Sequence, residues 1–313
     1  MSRSAAHDAR NAFLRDNSSD NELGRQLSVP TGEVVKKISR ELGVTLKTED
    51  IPNSDGGRLH FLGNSSAEKV ILYFHGGGYA FSAFEGHVKF MIHSQEKLAA
   101  QGSTVLVAFL EYGLTRAKKY PTQLTQATEG LRYVLSKGYR PSNVVIGGDS
   151  AGGNLTLGLA SVLTHPCPGI EPLAIPEKLR GMLLISPWVS FETSSASYEM
   201  NKGFDVFTAE SMQELARDFV LDEERNNWTE PIRADVDWWQ NLPAEQVLNV
   251  FGSHEVFRDG DKQLGDTLKQ AGVAIKSVEC PSQVHVDCIL DAQTGFEAGP
   301  MSTEIWQWLG TVL

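Results

Sequence analysis

At 313 residues, with 41 % hydrophobic and 21 % charged side chains, the chain has the make-up of a globular protein large enough to bury one substantial core. Its 28 basic against 39 acidic residues leave a formal charge of −11, which argues against nucleic acid or an anionic membrane as partner. No run reaches the roughly 18 apolar residues of a membrane span, the first ten residues hold no apolar secretory core, and Cys167, Cys280 and Cys288 show no metal-ligand spacing, so a cytoplasmic protein with reduced thiols is expected.

Residues 1–45 carry one helical pattern (Val34, Val35, Ile38, Leu42) ahead of the first strand. Short apolar runs then alternate with helix-period stretches. The runs predict strands at Arg58–Leu62, Lys69–Phe74, Thr104–Leu110, Asn143–Gly147, Arg180–Ile185, Val247–Gly252 and Ala274–Cys280. Between and after them, helices are expected over Val88–Ala100, Thr122–Ser136, Ala151–Leu163, Asp261–Gln270 and Thr303–Leu313. Such alternation predicts a single α/β domain over 1–313, a mostly parallel sheet with helices on both faces. Residues 190–235 interrupt it with a further helical pattern (Met212, Leu215, Phe219). An insertion there sits at the C-terminal ends of the strands, where ligands bind in such sheets. Residues 1–45 and 190–235 are therefore expected to form a cap.

The chemistry begins at the fourth predicted strand, which runs into Gly148-Asp149-Ser150-Ala151-Gly152-Gly153 and then a helix. A Gly-x-Ser-x-Gly turn between strand and helix presents its serine above the sheet. A serine hydroxyl attacks a carbonyl only with a base beside it. Upstream, the second strand ends in His75-Gly76-Gly77-Gly78-Tyr79, whose glycines can aim backbone N–H groups at one point. Gly77, Gly78 and Ala151 are thus candidate donors to an oxyanion. His75 lies on the wrong side of Ser150 in chain order for the base and is expected to buttress the loop. Of the late histidines, His254 and His285, the second follows the last strand, where its side chain can swing over the sheet edge. The acid should leave the strand at Val247–Gly252. Glu255, Asp259 and Asp261 are within reach; Glu255 is nearest the strand end, whereas Asp259 and Asp261 suit capping of the next helix. Asp287 suits a loop or first-turn role, and Cys288 is a weaker nucleophile candidate than Ser150.

These residues resemble the hormone-sensitive-lipase-like branch of the α/β-hydrolases, also called bacterial type IV esterases. The resemblance rests on His75-Gly76-Gly77-Gly78, on Gly148 through Leu155, on Ser186-Pro187-Trp188 and on Gly252 through Asp259. It implies an α/β-hydrolase fold with an eight-stranded sheet under a helical cap, a triad of Ser150, Glu255 and His285, and oxyanion donors on Gly77, Gly78 and Ala151. The chain departs from the family in having Glu255 where Asp is usual, and Glu111 through Arg116 where the family tends to Asp-Tyr-Arg-Leu-Ala-Pro. The acid stretch and Asp237-Trp238-Trp239 resemble fungal members that deacylate secondary metabolites. Together these readings predict a serine carboxylic-ester hydrolase that needs no metal or organic cofactor and acts on a small, partly apolar ester. Tyr79, Trp188, Phe204 and Phe207 are candidates to line its pocket, with ordinary packing as the alternative role. A homodimer through a core edge strand is also expected. An amidase or formamidase, a cyclase or acyltransferase, and a ligand receptor are the competing readings.

Overall fold

A computed structural model describes residues 4–18, 21–22, 25 and 28–313. Eight strands form one sheet: β1 (Leu46–Asp50), β2 (Arg58–Leu62), β3 (Lys69–Phe74), β4 (Val105–Glu111), β5 (Val144–Asp149), β6 (Gly181–Ile185), β7 (Val247–Gly252) and β8 (Ile275–Cys280). Their spatial order is β1-β2-β4-β3-β5-β6-β7-β8. β2 runs antiparallel to both neighbours, and every other pairing is parallel. All seven expected strands are present. β1 was not expected: its Leu-Lys-Thr-Glu-Asp run is polar, and it forms because its backbone pairs with β2 at the sheet edge.

The strands divide the core in two. Along β3, Val70, Leu72 and Phe74 face one buried cluster, while Ile71 and Tyr73 face the other. Both faces are covered, so β3 to β7 read as apolar over most of their length. Helices α4 (Thr122–Ser136), α5 (Ala151–Val162) and α8 (Arg258–Gln270) pack on the first face through Leu131, Leu159 and Leu268. On the second lie α3 (Glu85–Ala100), the short α9 (Asp287–Thr294) and α10 (Pro300–Val312), through Met91, Ile289 and Leu309. Among the described residues no helix is long and apolar enough to cross a membrane.

Two further segments remain, the first of which joins the second core through Val34, Val35 and Ile38. The first comprises α1 (Ala5–Asn17) and α2 (Thr31–Glu41). The second lies between β6 and β7 and contains α6 (Ala196–Asn201) and α7 (Ala209–Phe219). Thr208 caps α7 by accepting the Ser211 N–H, and Met212, Leu215, Ala216 and Phe219 turn one face inward. Arg10 of α1 pairs with Asp287 and Asp291 of α9, and Arg15 donates to the carbonyls of Gly203 and Asp205. The N-terminal helix is thereby tied to the end of the sheet where β3, β5, β7 and β8 finish.

Candidate active site

Ser150 sits between β5 and α5 with φ 54° and ψ −118°, a backbone that a residue with a side chain adopts only under constraint. The constraint comes from its own main chain. Its N–H donates to Ile185 O at 2.9 Å, and its carbonyl accepts from Asn154 and Trp188 at 3.0 and 2.9 Å. The turn is tight enough to require glycine on both sides. A Cβ at position 148 would lie 2.4 Å from Phe74 O, and one at 152 would lie 1.9 Å from the same atom.

Strand β3 is the neighbour of β5, with Phe74 opposite Gly148, so the loop leaving β3 begins beside Ser150. In it Gly77, Gly78 and Tyr79 have successive positive φ values of 101°, 59° and 61°. The N–H groups of Gly77, Gly78 and Ala151 find no acceptor among the described residues. The loop is braced from below. Asp149 Oδ1 accepts the Gly76 N–H and the Tyr73 hydroxyl, and Oδ2 faces His87 Nε2 at 3.2 Å. Burial pushes the Asp149 carboxyl up, but His87 and these hydrogen bonds outweigh it and hold the group below its ordinary range. His75 is wholly buried and donates through Nδ1 to Gly76 O at 2.7 Å, with its ring stacked on Tyr112. Burial, aided by His87, lowers its pKa to about 3, so the imidazole is neutral.

Strands β7 and β8 end side by side, Gly252 opposite Cys280, and bring the last two candidates together. Glu255 Oε2 lies 3.0 Å from His285 Nδ1, both side chains wholly buried. Glu255 Oε1 accepts the Gly252 N–H at 2.5 Å. Burial raises the Glu255 carboxyl, and the bond to His285 pulls it back. Among the described residues His285 Nε2 has no hydrogen-bond partner, and His285 lines the same cavity of about 550 Å³ as Ser150 and Gly77.

The other candidates lie elsewhere. Asp259 accepts the Ser197 N–H and pairs with Arg258; Asp261 is buried in α8, with neither carboxyl oxygen bonded among the described residues. Neither caps α8 through its side chain. His254 stacks on Phe204, Asp287 accepts the Val284 N–H, and Cys288 is buried in α9 with its thiol pushed up by burial. Of the four aromatic candidates only Phe207 lines the cavity, its ring edge-on to His285 at 5.0 Å. Tyr79 is buried against Phe219, Trp188 against Phe191 and Phe257, and Phe204 is half exposed. The cavity wall is made instead by Phe81 and Phe84, which closely follow the glycine loop, by Val206, and by Leu14 and Val34 of α1 and α2. The position of Phe81 and Phe84 in the sequence was a usable signal; the part played by Leu14 had none. Among the described residues no group of three or more His, Cys, Asp or Glu side chains is arranged to hold a metal ion.

The family model described as alpha/beta hydrolase fold matches residues 71–288, well over half of the chain. The chain is 27 % identical to the acetyl-hydrolase of Streptomyces hygroscopicus over 221 residues, 70 % of this chain and 68 % of that one. It is 26 % identical to steryl acetyl hydrolase 1 of Saccharomyces cerevisiae over 251 residues, 75 % of this chain but 55 % of the yeast protein. A solved esterase from the bacterial hormone-sensitive lipase family superposes with a TM-score of 0.73 at 21 % identity, covering 99 % of this chain and 98 % of its own. Carboxyl esterase 2 from the fungus Tuber melanosporum superposes at 0.70 and 21 % identity, over 85 % of each chain. A glycine-flanked serine turn, a glycine loop beside it and a sheet of this order coincide with that match: the chain belongs to the α/β-hydrolase fold family.

Proposed function

We propose that the protein is a serine carboxylic-ester hydrolase with Ser150 as nucleophile, His285 as base and Glu255 as the acid that orients it. The observation that carries this reading is the state of the imidazole: Nδ1 is committed to Glu255, while Nε2, on the cavity that Ser150 lines, has no partner among the described residues. A carboxylate on Nδ1 fixes the tautomer that leaves the Nε2 lone pair free for a proton. His285 takes the Ser150 proton as the oxygen attacks the ester carbonyl. The N–H groups of Gly77, Gly78 and Ala151 receive the oxyanion, each contributing roughly 10²–10³ in rate. His285 then returns the proton to the departing alcohol, and water discharges the acyl-enzyme by the same route.

The cavity bounds the substrate. Phe81, Phe84, Val206, Phe207 and Leu290 make it apolar, which suits a small, partly apolar ester. The acetyl hydrolases among the relatives support a short acyl group. We assign residues 1–45 and 190–235 to a cap, because α1 and α2 line one side of the cavity and Val206 and Phe207 another.

The test is hydrolysis of p-nitrophenyl acetate, butyrate and octanoate by the wild-type protein beside Ser150→Ala. Hydrolysis that falls by about 10⁴-fold in the variant, with acetate or butyrate preferred, supports the reading. Retention of a tenth of the wild-type rate removes Ser150 from the mechanism.

A further inference from the structure

Asp205 belongs to the insertion between β6 and β7, yet its side chain serves two loops that are distant in sequence. Its carboxylate is wholly buried. Oδ1 accepts the His285 N–H at 3.0 Å and the Val206 N–H at 2.9 Å, and Oδ2 accepts the Val256 N–H at 2.6 Å. One side chain therefore holds the backbone of the base and the backbone of the residue next to the acid. Asn201, one turn earlier, works on the same loop from the carbonyl side, donating to Glu255 O at 2.7 Å and Ser253 O at 3.3 Å. Arg15 of α1 in turn holds the Asp205 carbonyl at 3.1 Å.

The His285 loop needs such holding. Val286, directly after it, has φ 48° and ψ 36°, a conformation that a β-branched side chain resists. The strain persists because neighbouring groups bind this stretch in sequence: Asp287 takes the Val284 N–H, Asp205 the His285 N–H and Ser186 the Val286 N–H.

Burial raises the Asp205 carboxyl, and a protonated His285 together with the three N–H donors pulls it back. Among the described residues it makes no ion pair; besides its three N–H donors, the positive group that acts on it is His285 when protonated. Other titratable groups surround the pair: Asp261, its carboxyl raised by burial and by Glu255, and Tyr198, raised by burial and by Asp205. Glu255 is on Nδ1, Asp287 is paired with Arg10, and Asp149 is paired with His87 across the cavity. Glu33, Lys37 and Glu85 line the cavity too, with Lys37 paired to Glu85.

We propose that Asp205 is a positioning residue for the Glu255–His285 pair, pinning the two loops to each other and stabilising the imidazolium that forms during turnover. The insertion is then part of the catalytic framework as well as a cover. This inference rests on the esterase reading above.

The experiment is the pH dependence of kcat and KM for p-nitrophenyl butyrate in the wild type and Asp205→Asn, with folding checked by circular dichroism. Asparagine keeps the shape but loses the charge and one acceptor. We expect kcat to fall by about 10- to 100-fold with KM within about twofold. The acid limb of kcat/KM should move to lower pH by about half a unit or more, because the imidazolium has lost an anionic neighbour. A kcat and an acid limb equal to wild type in a folded variant overturn the proposal. If Asp205→Asn does not fold, Arg15→Ala reads the same split from the protein surface. A drop in kcat of about threefold or more with KM unchanged supports the pin, and wild-type kcat overturns it. Absence of Ser150-dependent hydrolysis in the wild type would instead overturn the esterase reading itself.

Discussion

Asp149 Oδ1 accepts the backbone N–H of Gly76 at 3.0 Å, so the residue that precedes the candidate nucleophile anchors the loop proposed to hold the oxyanion. The same oxygen accepts the Tyr73 hydroxyl at 2.7 Å, and the other faces His87. Three buried groups on β3, its loop and α3 thus meet one ionised carboxylate, and an ionised acceptor makes each bond stronger than a neutral one. Asp149→Ala would leave these groups without a partner. Each stranded group costs about 1–3 kcal/mol, so we expect the urea midpoint to fall by an amount equivalent to at least about 3 kcal/mol. Asp149→Asn, which can still accept from Gly76 and Tyr73, should lose less than half of that. Equal losses in the two variants would show that the negative charge facing His87, and not the bonds to Gly76 and Tyr73, matters.

The acid can be identified by contrast. Glu255 reaches His285, whereas Asp259 is occupied by the Ser197 N–H and Arg258. Glu255→Gln should lower kcat by about 10³-fold through the wrong imidazole tautomer. Asp259→Asn should stay within about threefold of wild type. Kinetics on one activated ester decide the matter, and the reverse order would move the acid to 259.

Two glycines offer opposite outcomes for the same added methyl. At Gly152 a Cβ would lie 1.9 Å from Phe74 O, and both chains there are backbone that cannot step aside. Gly152→Ala is expected to cost about 3 kcal/mol or more, or to prevent folding. At Gly130, inside α4, the nearest atom to a Cβ is Leu110 Cδ1 at 3.6 Å, an ordinary contact. Gly130→Ala should raise stability by about 0.5–1 kcal/mol, since alanine favours the helix and loses less freedom on folding. Thermal melts of the two variants give the comparison directly.

The buried His75 sets a pH dependence of stability. Its folded pKa is about 3, below the ordinary imidazole value of 6.5. Between those limits the unfolded chain binds a proton that the folded chain refuses. Its contribution is therefore fully present above about pH 6.5 and is lost as pH falls towards about 3. One proton corresponds to a slope of up to about 1.4 kcal/mol per pH unit. Urea unfolding at pH 7.0 and 5.5 should show a smaller loss for His75→Asn, which cannot titrate, than for the wild type. Parallel losses would mean that other groups govern acid unfolding.

What was legible in the sequence is what local chemistry decides. Gly148 and Gly152 are small because the turn around Ser150 touches Phe74 O, and that requirement is visible wherever a strand runs into such a turn. Strands β3 to β7 were readable because strands covered on both faces must be apolar over most of their length. β1 was not, since Lys47, Thr48, Glu49 and Asp50 form a polar run whose pairing with β2, through backbone and through Thr48 with His60 and Asp50 with Arg58, leaves no apolar pattern to read.

The fates of Tyr79, Trp188 and Phe207 were equally hidden. All three are aromatic and near the site in sequence, but an aromatic ring packs as well into a core as onto a cavity, and only the surrounding elements choose. Asp205 is the clearest case. Its partners Val256 and His285 are 51 and 80 positions away, and nothing in Gly203-Phe204-Asp205-Val206 announces them. The sequence alone determined the serine turn, the glycine loop and the alternation of strand and helix, because each follows from conformational limits acting over a few residues. Only the tertiary structure decided which buried carboxylate meets which loop, because that depends on the order of strands in the sheet and on where the insertion folds back upon it.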